Sequence, residues 1–296
     1  NQLPVSGRVK HPFWVQNARV LDANNEMPKE LFPPKFLRQI VNHFLQSDKH
    51  TRIYNHSFNS KYPCRKVHMS AWAETIDRIC WELDVVFVVS AGNLPRSGGT
   101  VTRLSVIDHI HHGREYPEYL LESSARIGNP AQSLQAITVG SVGIEGLQGS
   151  YSSFSKRSEP SSFSCTGPGI FNSIKPEVVE YGGCLVHDEN TPRLVALHPQ
   201  VSPWTVRSTL HGGSALGRDQ VGTSFAAPKV SHILATIQKE FPDESALLYR
   251  ALLIQSARWP EWTRTWGDPY HVLRHIGYGI PDVRRATENN NYRITF

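Results

Sequence analysis

The sequence predicts an α/β fold in which a largely parallel central sheet carries helices on both faces. Residues 85–89 (VVFVV) form a continuous apolar run between a helical pattern and a glycine turn, as is typical of a strand covered on both faces. Residues 136–142 (AITVGSV) are interpreted as a second buried strand. Segments with helical spacing of apolar residues separate the strand-like runs. This alternation favours a parallel sheet covered by helices.

The individual elements follow from local patterns in chain order. Strands are predicted at 15–22 (entering a turn at 23–25), 52–58, 85–89, 136–142 and 177–179, and helices after Pro33-Pro34, over 70–83, after Ser224 and from 243 to 257. Ser70 and Asp243 are the expected N-caps of the second and last helices. Residues 94–130 show no period and are expected to form a surface excursion, and residues 150–175 to form loops.

Composition excludes some functional classes and bounds the domain count. The 296 residues, with no internal repeat or linker, indicate one domain. A net charge of +5 without a Lys/Arg block gives nucleic-acid binding little support, and no apolar run of about 18 residues predicts a membrane span. The cysteines show no C-x-x-C spacing: Cys64, Cys80, Cys165 and Cys184. We expect reduced thiols rather than two disulfides, and a cytoplasmic location, with secretion as the alternative.

The run Gly222 to Pro228 (GTSFAAP) places a serine at the start of a predicted helix. The unpaired N–H groups and partial positive charge of a helix N-terminus stabilise an oxyanion, so the Ser224 N–H is a candidate half of an oxyanion hole. Asn93 ends the run SAGN after a buried strand, where ligands meet parallel sheets, and its amide is a candidate second donor. Taken alone, the serine turn is better explained as a helix cap, and Gly-Asn is a common turn.

Taken together, the motifs resemble those of the subtilisin-like serine peptidases, the subtilases. The matching segments, in the family's order, are VVSAGN, AITVGSV, the stretch 162–183 with its G-P, K-P-E-V-V and G-G, and GTSFAAP. The resemblance runs from about ARVLD at 18–22 to GYG at 277–279. It implies a three-layer subtilisin-like fold and a serine endopeptidase, with Ser224 as nucleophile, Asn93 as oxyanion donor, and Gly222 and Thr223 supporting the turn.

The resemblance also implies where a polypeptide substrate binds. Residues 55–60 (NHSFNS) correspond to an edge strand that pairs with an extended substrate. One wall of the first specificity pocket is then formed by Ser57, Phe58 and Asn59, and the opposite wall by Ser90, Ala91 and Gly92. Subtilases usually have Leu-Gly-Gly where this chain has Phe58-Asn59-Ser60, so the depth of the pocket stays open.

The base and acid of the implied triad have no matching motif in the chain. In subtilases an Asp closes the first strand and a His opens a helix in an H-G-T-x-V-A-G-like run, both upstream of the V-L-D strand. Residues 1–18 contain neither motif. We therefore expect the N-terminal portion of the fold to be missing, with His and Asp supplied by an N-terminal segment of the same protein. Residues 1–288 are predicted to be a partial catalytic domain, and 289–296 the start of a possible C-terminal extension.

Several alternatives stay open. Residues 106–113 (VIDHIHHG) superficially mimic the missing motifs, and His11 and His56 are further candidate bases, although packed histidines are the simpler reading of all three. An α/β-hydrolase order would use Asp268 with His271 or His275 after Ser224. The chain can also be a peptide-binding pseudoprotease. Calcium supports many subtilases, but no Asp-rich loop identifies a site, so no cofactor is predicted.

Overall fold

The computed structural model describes residues 13–24, 26–28, 31–146, 148–190, 193–195, 205–206 and 220–288. The chain divides into two compact units, Asn1–Arg52 and Ile53–Phe296. In the described part, no helix is both long and apolar enough to cross a membrane. The predicted C-terminal extension, 289–296, lies outside the described residues.

Among its described residues, the first unit contains one helix, α1 (Pro33–Leu45), as the Pro33-Pro34 signal predicts. Proline is tolerated there because the first helical turn needs no N–H partner. The strand predicted at 15–22 is wrong: this segment forms no strand. The Asp22 carboxylate instead closes a turn, accepting hydrogen bonds from the N–H groups of Asn24 at 2.8 Å and Glu26 at 2.9 Å. A side chain that satisfies nearby backbone donors competes with strand pairing.

The second unit is built on a four-stranded sheet whose strands are all parallel. Its strands, in chain order along the sequence, are β1 (Ile53–His56), β2 (Val86–Ser90), β3 (Ile137–Val142) and β5 (Val178–Tyr181), which is also their spatial order. The register pairs Ile53 with Val86, Val88 with Ile137, and Val139 with Val178. The predicted strands at 52–58, 85–89, 136–142 and 177–179 are therefore confirmed, with ends shifted by at most two residues.

Helices cover both faces of this sheet, giving the expected three layers. On one face, Val86, Val88, Ile137, Val139 and Val178 form a core with three helices: α4 (Thr223–Glu240), α5 (Ala246–Ser256) and α7 (Val283–Thr287). On the other face, Val142 and Val179 pack against α6 (Pro269–Ile276), and α2 (Ala71–Leu83) lies beside β2. Successive side chains along a strand point to opposite faces of the sheet, so they pack against different helical layers. The predicted α/β fold with a largely parallel sheet is confirmed.

Helix caps agree with the prediction in one case and not in the other. Ser70 caps α2, its hydroxyl accepting from the Ala73 N–H at 3.1 Å. The cap of α5 is Ser245, not Asp243, since the Ser245 hydroxyl accepts from the Leu248 N–H at 3.2 Å. Both residue types favour the N-cap position, so only the exact start of the helix decides between them.

The prediction of a surface excursion over 94–130 is wrong. This stretch forms α3 (Val106–His111) and short 3-10 helices at Glu118–Leu121 and Ser123–Ala125. It also contributes buried side chains, among them Tyr119 and Leu120. Elements of three to six residues are too short to show a hydrophobic period.

A second, antiparallel sheet lies in a region predicted as loops and in the residues after it. Its strands are β4 (Tyr151–Ser153), β6 (Val186–Asp188) and β7 (Arg193–Val195), in that spatial order. A 3-10 turn at Ile170–Asn172 also interrupts the predicted loop. Three-residue strands carry too little alternation to be seen in the sequence.

Candidate active site

Helix α4 begins at the predicted serine turn, and its first residues are held by the end of the central sheet. The Gly222 N–H donates to the Gly182 carbonyl at 2.9 Å, and the Gly182 N–H donates to the Val142 carbonyl at 3.2 Å. A Cβ atom on Gly182 would lie 2.6 Å from the Gly222 carbonyl oxygen. Only glycine therefore permits this close approach between the strand end and the turn.

Thr223 joins the start of α4 to the loop that follows β2. Its hydroxyl donates to Asn93 Oδ1 at 3.0 Å, and its backbone N–H donates to the same oxygen at 3.0 Å. The hydroxyl also accepts from the Gly92 N–H at 3.3 Å. Thr223 is fully buried, so these bonds are shielded from water.

These contacts fix the orientation of the Asn93 amide. Because a backbone N–H can only donate, the Asn93 atom that faces it must be the oxygen. Asn93 Nδ2 consequently points away from Thr223, and it makes no hydrogen bond to any of the described residues. Asn93 is exposed. This arrangement leaves two amide hydrogens available to a ligand oxygen next to the N-terminus of α4.

The loop that carries Asn93 is fixed on its other side by residues 163–165. The Leu94 N–H donates to the Phe163 carbonyl at 2.7 Å, and the Cys165 N–H donates to the Gly92 carbonyl at 3.0 Å. Asn93 and Ser164 form an isolated antiparallel bridge. A rigid loop of this kind can hold a hydrogen-bond donor in place before any charge develops.

Ser224 lies in the first turn of α4, where backbone N–H groups have no acceptor within the helix. Its Oγ donates to the Ser57 carbonyl at 2.7 Å. Ser57 directly follows β1, so the hydroxyl reaches the strand that the family resemblance assigns to substrate pairing. The structure thus brings together the predicted residues Ser57, Asn93, Gly222, Thr223 and Ser224.

The two predicted walls of the specificity pocket also lie side by side. Asn59 Nδ2 donates to the Ser90 carbonyl at 2.7 Å, and the Ser90 hydroxyl donates to Asn59 Oδ1 at 2.6 Å. The Phe58 ring turns elsewhere, stacking on the His56 ring with 4.0 Å between centroids. Ala91 is bonded on both sides, its N–H to the Val139 carbonyl at 2.9 Å and its own carbonyl to the Gly128 N–H at 2.8 Å.

Gly128 joins these walls, and the sequence analysis did not identify it. A Cβ atom on Gly128 would lie 3.1 Å from the Ser60 carbonyl oxygen and 3.2 Å from the Asn59 Cβ. Behind it, the buried Arg103 donates to the carbonyls of Lys61 at 3.2 Å and Arg126 at 2.8 Å. Arg103 Nη1 also lies 2.7 Å from the Cys165 sulfur. Gly128 and Arg103 occur in the stretch without periodicity, and no local pattern marks either residue.

None of the histidines that the structure describes is a hydrogen-bond partner of Ser224. His56 is buried between the rings of Phe58 and Trp72, and burial lowers its pKa to about 4. Its ring nitrogens have no hydrogen-bond partner among the described residues. A histidine held neutral in an aromatic core, without a hydrogen bond to the Ser224 hydroxyl, is not placed to act as a base.

The motif-like run at 106–113 has local structural roles. Asp108 forms a capping box with Ser105 at the start of α3. The buried His109 stacks on Tyr119 at 4.9 Å and lies 3.1 Å from the Ser124 hydroxyl. Packed side chains thus account for this run. His11 lies outside the described residues.

The residues of the α/β-hydrolase alternative are likewise occupied elsewhere. Asp268 caps α6 through the Tyr270 N–H at 2.8 Å. His275 Nδ1 lies 2.7 Å from the His271 carbonyl oxygen, and burial lowers the pKa of His275 to about 4. No hydrogen bond joins Ser224 to any of them in the described part of the molecule.

The cysteines of this chain are buried thiols. All four cysteines are buried and free, as expected for reduced thiols. Burial raises the pKa of the Cys165 thiol, so the sulfur next to Arg103 is held as a neutral thiol. Among the described residues, no group of three His, Cys, Asp or Glu side chains is arranged to hold a metal ion.

Several known proteins are similar to this chain. An uncharacterized protein, y4bN, from Sinorhizobium fredii is 34% identical over 240 residues, which cover 77% of this chain and 53% of the relative. The chain therefore spans about half the length of that curated relative. The Prenylagaramide maturation protease PagA has a similar fold, with a TM-score of 0.50 and 15% identity over 90% of this chain and 69% of its own.

A second solved structure, MycP1 from Mycobacterium smegmatis, is 20% identical with a TM-score of 0.48, covering 87% of this chain and 55% of its own. The model of the subtilase family (Peptidase_S8) matches residues 32–279, most of the chain. This match begins ten residues after Asp22, so the resemblance proposed for 18–22 is not part of it, whereas its end coincides with the predicted Gly277–Gly279 motif. The chain belongs to the subtilase family.

Proposed function

We propose that this chain carries the nucleophile and oxyanion hole of a serine endopeptidase of the subtilisin type. The observation that carries the proposal is the contact set at the start of α4, in which Thr223 holds the Asn93 amide oxygen. A Cβ atom on Gly222 would lie 3.4 Å from Asn93 Nδ2, so the amide nitrogen is next to the serine turn. A pure helix cap has no need of an exposed amide held in this way by buried partners. Gly222 supports the turn through its hydrogen bond to Gly182.

In the proposed reaction Ser224 Oγ attacks the carbonyl carbon of a peptide bond. The hydroxyl proton passes to a histidine base, and the carbonyl oxygen becomes an oxyanion that accepts hydrogen bonds from Asn93 Nδ2 and the Ser224 N–H. The histidine then returns the proton to the leaving amine, the C–N bond breaks, and water hydrolyses the acyl-enzyme. The histidine and its aspartate are supplied by an N-terminal segment outside this chain, so the chain alone is expected to be inactive.

The proposed substrate is an extended polypeptide that pairs with residues 57–60. These residues continue from β1 without belonging to a strand themselves, and all four are partly exposed. Backbone pairing of this kind provides affinity, while pockets on either side of the strand select side chains. The Ser57 carbonyl, which now accepts the Ser224 hydroxyl, lies at the start of this segment.

Labelling with a fluorophosphonate probe tests the nucleophile. We expect the full-length gene product to form one covalent adduct, and mass spectrometry to place it on Ser224. The Ser224→Ala variant must lose the adduct, whereas Ser231→Ala, on the same helix, must keep it. Absence of an adduct on folded full-length protein would overturn the proposal.

The second candidate function is a catalytically silent peptide-binding protein. The observation that favours it is that the Ser224 hydroxyl donates to a carbonyl, and to no histidine among the described residues. A full-length product that binds peptides but takes no fluorophosphonate would support this function in place of the first. Sequencing upstream of Asn1 gives an independent answer, because an H-G-x-x-V-A-G-like run there is required by the peptidase alone.

A cytoplasmic location is the proposal for the compartment. It is supported by four buried thiols without a disulfide, since oxidising compartments favour disulfides. Fractionation of producing cells, with thiol labelling under denaturing conditions, tests it. Recovery of the protein from the medium with oxidised cysteines would contradict it.

A further inference from the structure

We infer that the Asn59 side chain closes the first specificity pocket, so that this site accepts only a glycine, alanine or serine side chain beside the attacked carbonyl. This inference rests on the proposed function, because it concerns the groove in which that function places a peptide. It identifies Asn59 as a specificity-determining residue and peptides with small residues before the cleaved bond as the substrate class.

The closure follows from the contacts of Asn59 across the pocket. The pairing of β1 with β2 ends at His56 and Val89, so residues 57–60 and 90–92 are not joined to each other by strand pairing. Asn59 fills the gap with two hydrogen bonds, from Nδ2 to the Ser90 carbonyl at 2.7 Å and from the Ser90 hydroxyl to Oδ1 at 2.6 Å. A side chain entering between the walls therefore meets the Asn59 amide.

The base of the pocket offers no additional depth. Gly128 donates its N–H to the Ala91 carbonyl on one wall, at 2.8 Å, and approaches the other wall so closely that a Cβ atom would lie 3.2 Å from the Asn59 Cβ. The only large side chain of the first wall, Phe58, stacks on His56 and Trp72 and does not line this gap. Asn59 is consequently the side chain that sets the depth of the pocket.

Admitting a large side chain would require Asn59 to leave. Ser90 is fully buried, and its hydroxyl and carbonyl would both lose their Asn59 partners without access to water. A side chain of one or two heavy atoms can lie above the intact Asn59–Ser90 pair. The pocket therefore discriminates between substrate side chains in two ways: by their volume, and by the cost of breaking the two buried Asn59–Ser90 hydrogen bonds.

Peptide binding to the Ser224→Ala form of the full-length protein tests the inference without requiring hydrolysis. The ligands are fluorescein-labelled tetrapeptides that differ only in a C-terminal Gly, Ala, Ser, Leu or Phe, measured by fluorescence anisotropy. We expect the Ala peptide to bind at least about tenfold more tightly than the Phe peptide, the scale by which pockets discriminate side chains. Asn59→Gly should tighten Phe binding at least about tenfold and change Ala binding by less than about threefold.

Two variants guard against effects of misfolding. Asn172→Gly removes an exposed asparagine at a positive φ of 60°, which glycine tolerates, and should leave all five affinities unchanged. Asn59→Ala removes the amide but keeps the backbone preference, and should shift the Phe-to-Ala ratio in the same direction as Asn59→Gly. Thermal melts identify any variant that fails to fold.

The possible outcomes separate this inference from the proposed function. Equal affinities for Ala and Phe peptides in the parent protein, or an unchanged ratio in both folded Asn59 variants, would overturn the inference. If none of the peptides binds, both the inference and the proposed substrate groove are contradicted. Selective binding of the Ala peptide by a protein that takes no fluorophosphonate would support the inference and overturn only the peptidase proposal.

Discussion

The hydrogen bonds between Thr223 and Asn93 predict a specific pattern in a double-mutant cycle. Asn93→Ala removes the proposed oxyanion donor, for which the usual loss in rate is about a hundred- to a thousandfold. Thr223→Val keeps the shape of the side chain but removes the hydroxyl that donates to Asn93 Oδ1 at 3.0 Å. The backbone N–H of residue 223 still holds that oxygen at 3.0 Å, so the Asn93 amide is loosened rather than released.

The magnitude of the Thr223→Val effect follows from one lost hydrogen bond. Such a bond is worth about 0.5–1.5 kcal/mol, so the rate should fall by roughly two- to thirteenfold. The Gly92 N–H also loses its acceptor at 3.3 Å, which should lower the free energy of unfolding by about 1–3 kcal/mol. Because the hydroxyl affects the rate through Asn93, the double variant should be no slower than Asn93→Ala within about threefold.

The assay is kcat/KM of the full-length gene product on a chromogenic peptide with alanine before the cleaved bond. Thr223→Ser, which retains the hydroxyl, is the control and should keep the rate within about threefold. Multiplicative losses in the double variant would show that Thr223 acts independently of Asn93. A loss below about threefold for Asn93→Ala would refute its assignment as an oxyanion donor.

Three further predictions concern stability, each read by chemical denaturation of the purified chain. Gly182→Ala would place a Cβ atom 2.6 Å from the Gly222 carbonyl oxygen and should cost about 1–3 kcal/mol of unfolding free energy; an unchanged midpoint would contradict the close packing. Lys175→Met leaves the buried Glu177 without its 2.6 Å partner and should cost about 3 kcal/mol, unlike a surface Lys→Met change. Burial lowers the pKa of His275 from 6.5 to about 4, so the neutral side chain favours folding above pH 6.5. This contribution is lost as the pH falls from 6.5 towards 4, and the free energy of unfolding then changes by up to about 1.4 kcal/mol per pH unit. His275→Gln should reduce that slope.

The parts of the fold that the sequence predicts are those whose pattern is local and long. β2 and β3 are fully buried strands, and α4 keeps its apolar spacing over eighteen residues. Each of these elements can therefore be predicted from its own residues. The start of α4 at Ser224 is also predicted from its own residues, whereas the role of Ser224 is implied only by the family resemblance. The strand predicted at 15–22 failed because apolar residues alone do not supply a ladder partner.

The parts that could not be predicted depend on contacts between distant residues. Arg103 is buried because three segments offer it acceptors, at Lys61, Arg126 and Cys165, and nothing near Arg103 in the sequence reports this. The sequence shows that Asn59 is larger than the glycine usual in the family, but it does not show the hydrogen bonds between Asn59 and Ser90. The assignments of Ser224, Asn93 and the pocket residues stay predictions until the experiments above are done.

The contacts that assemble the site also have a consequence for biosynthesis. Asn93 and Thr223 are separated by 130 positions, and Ser57 and Ser224 by 167. Contacts over such separations form late, since the loop between them must be closed first. A ribosome-bound or partly folded chain therefore presents Ser224 without its amide partner and without a wall for a peptide. The proposed hydrolytic activity therefore requires molecules that have completed the central sheet.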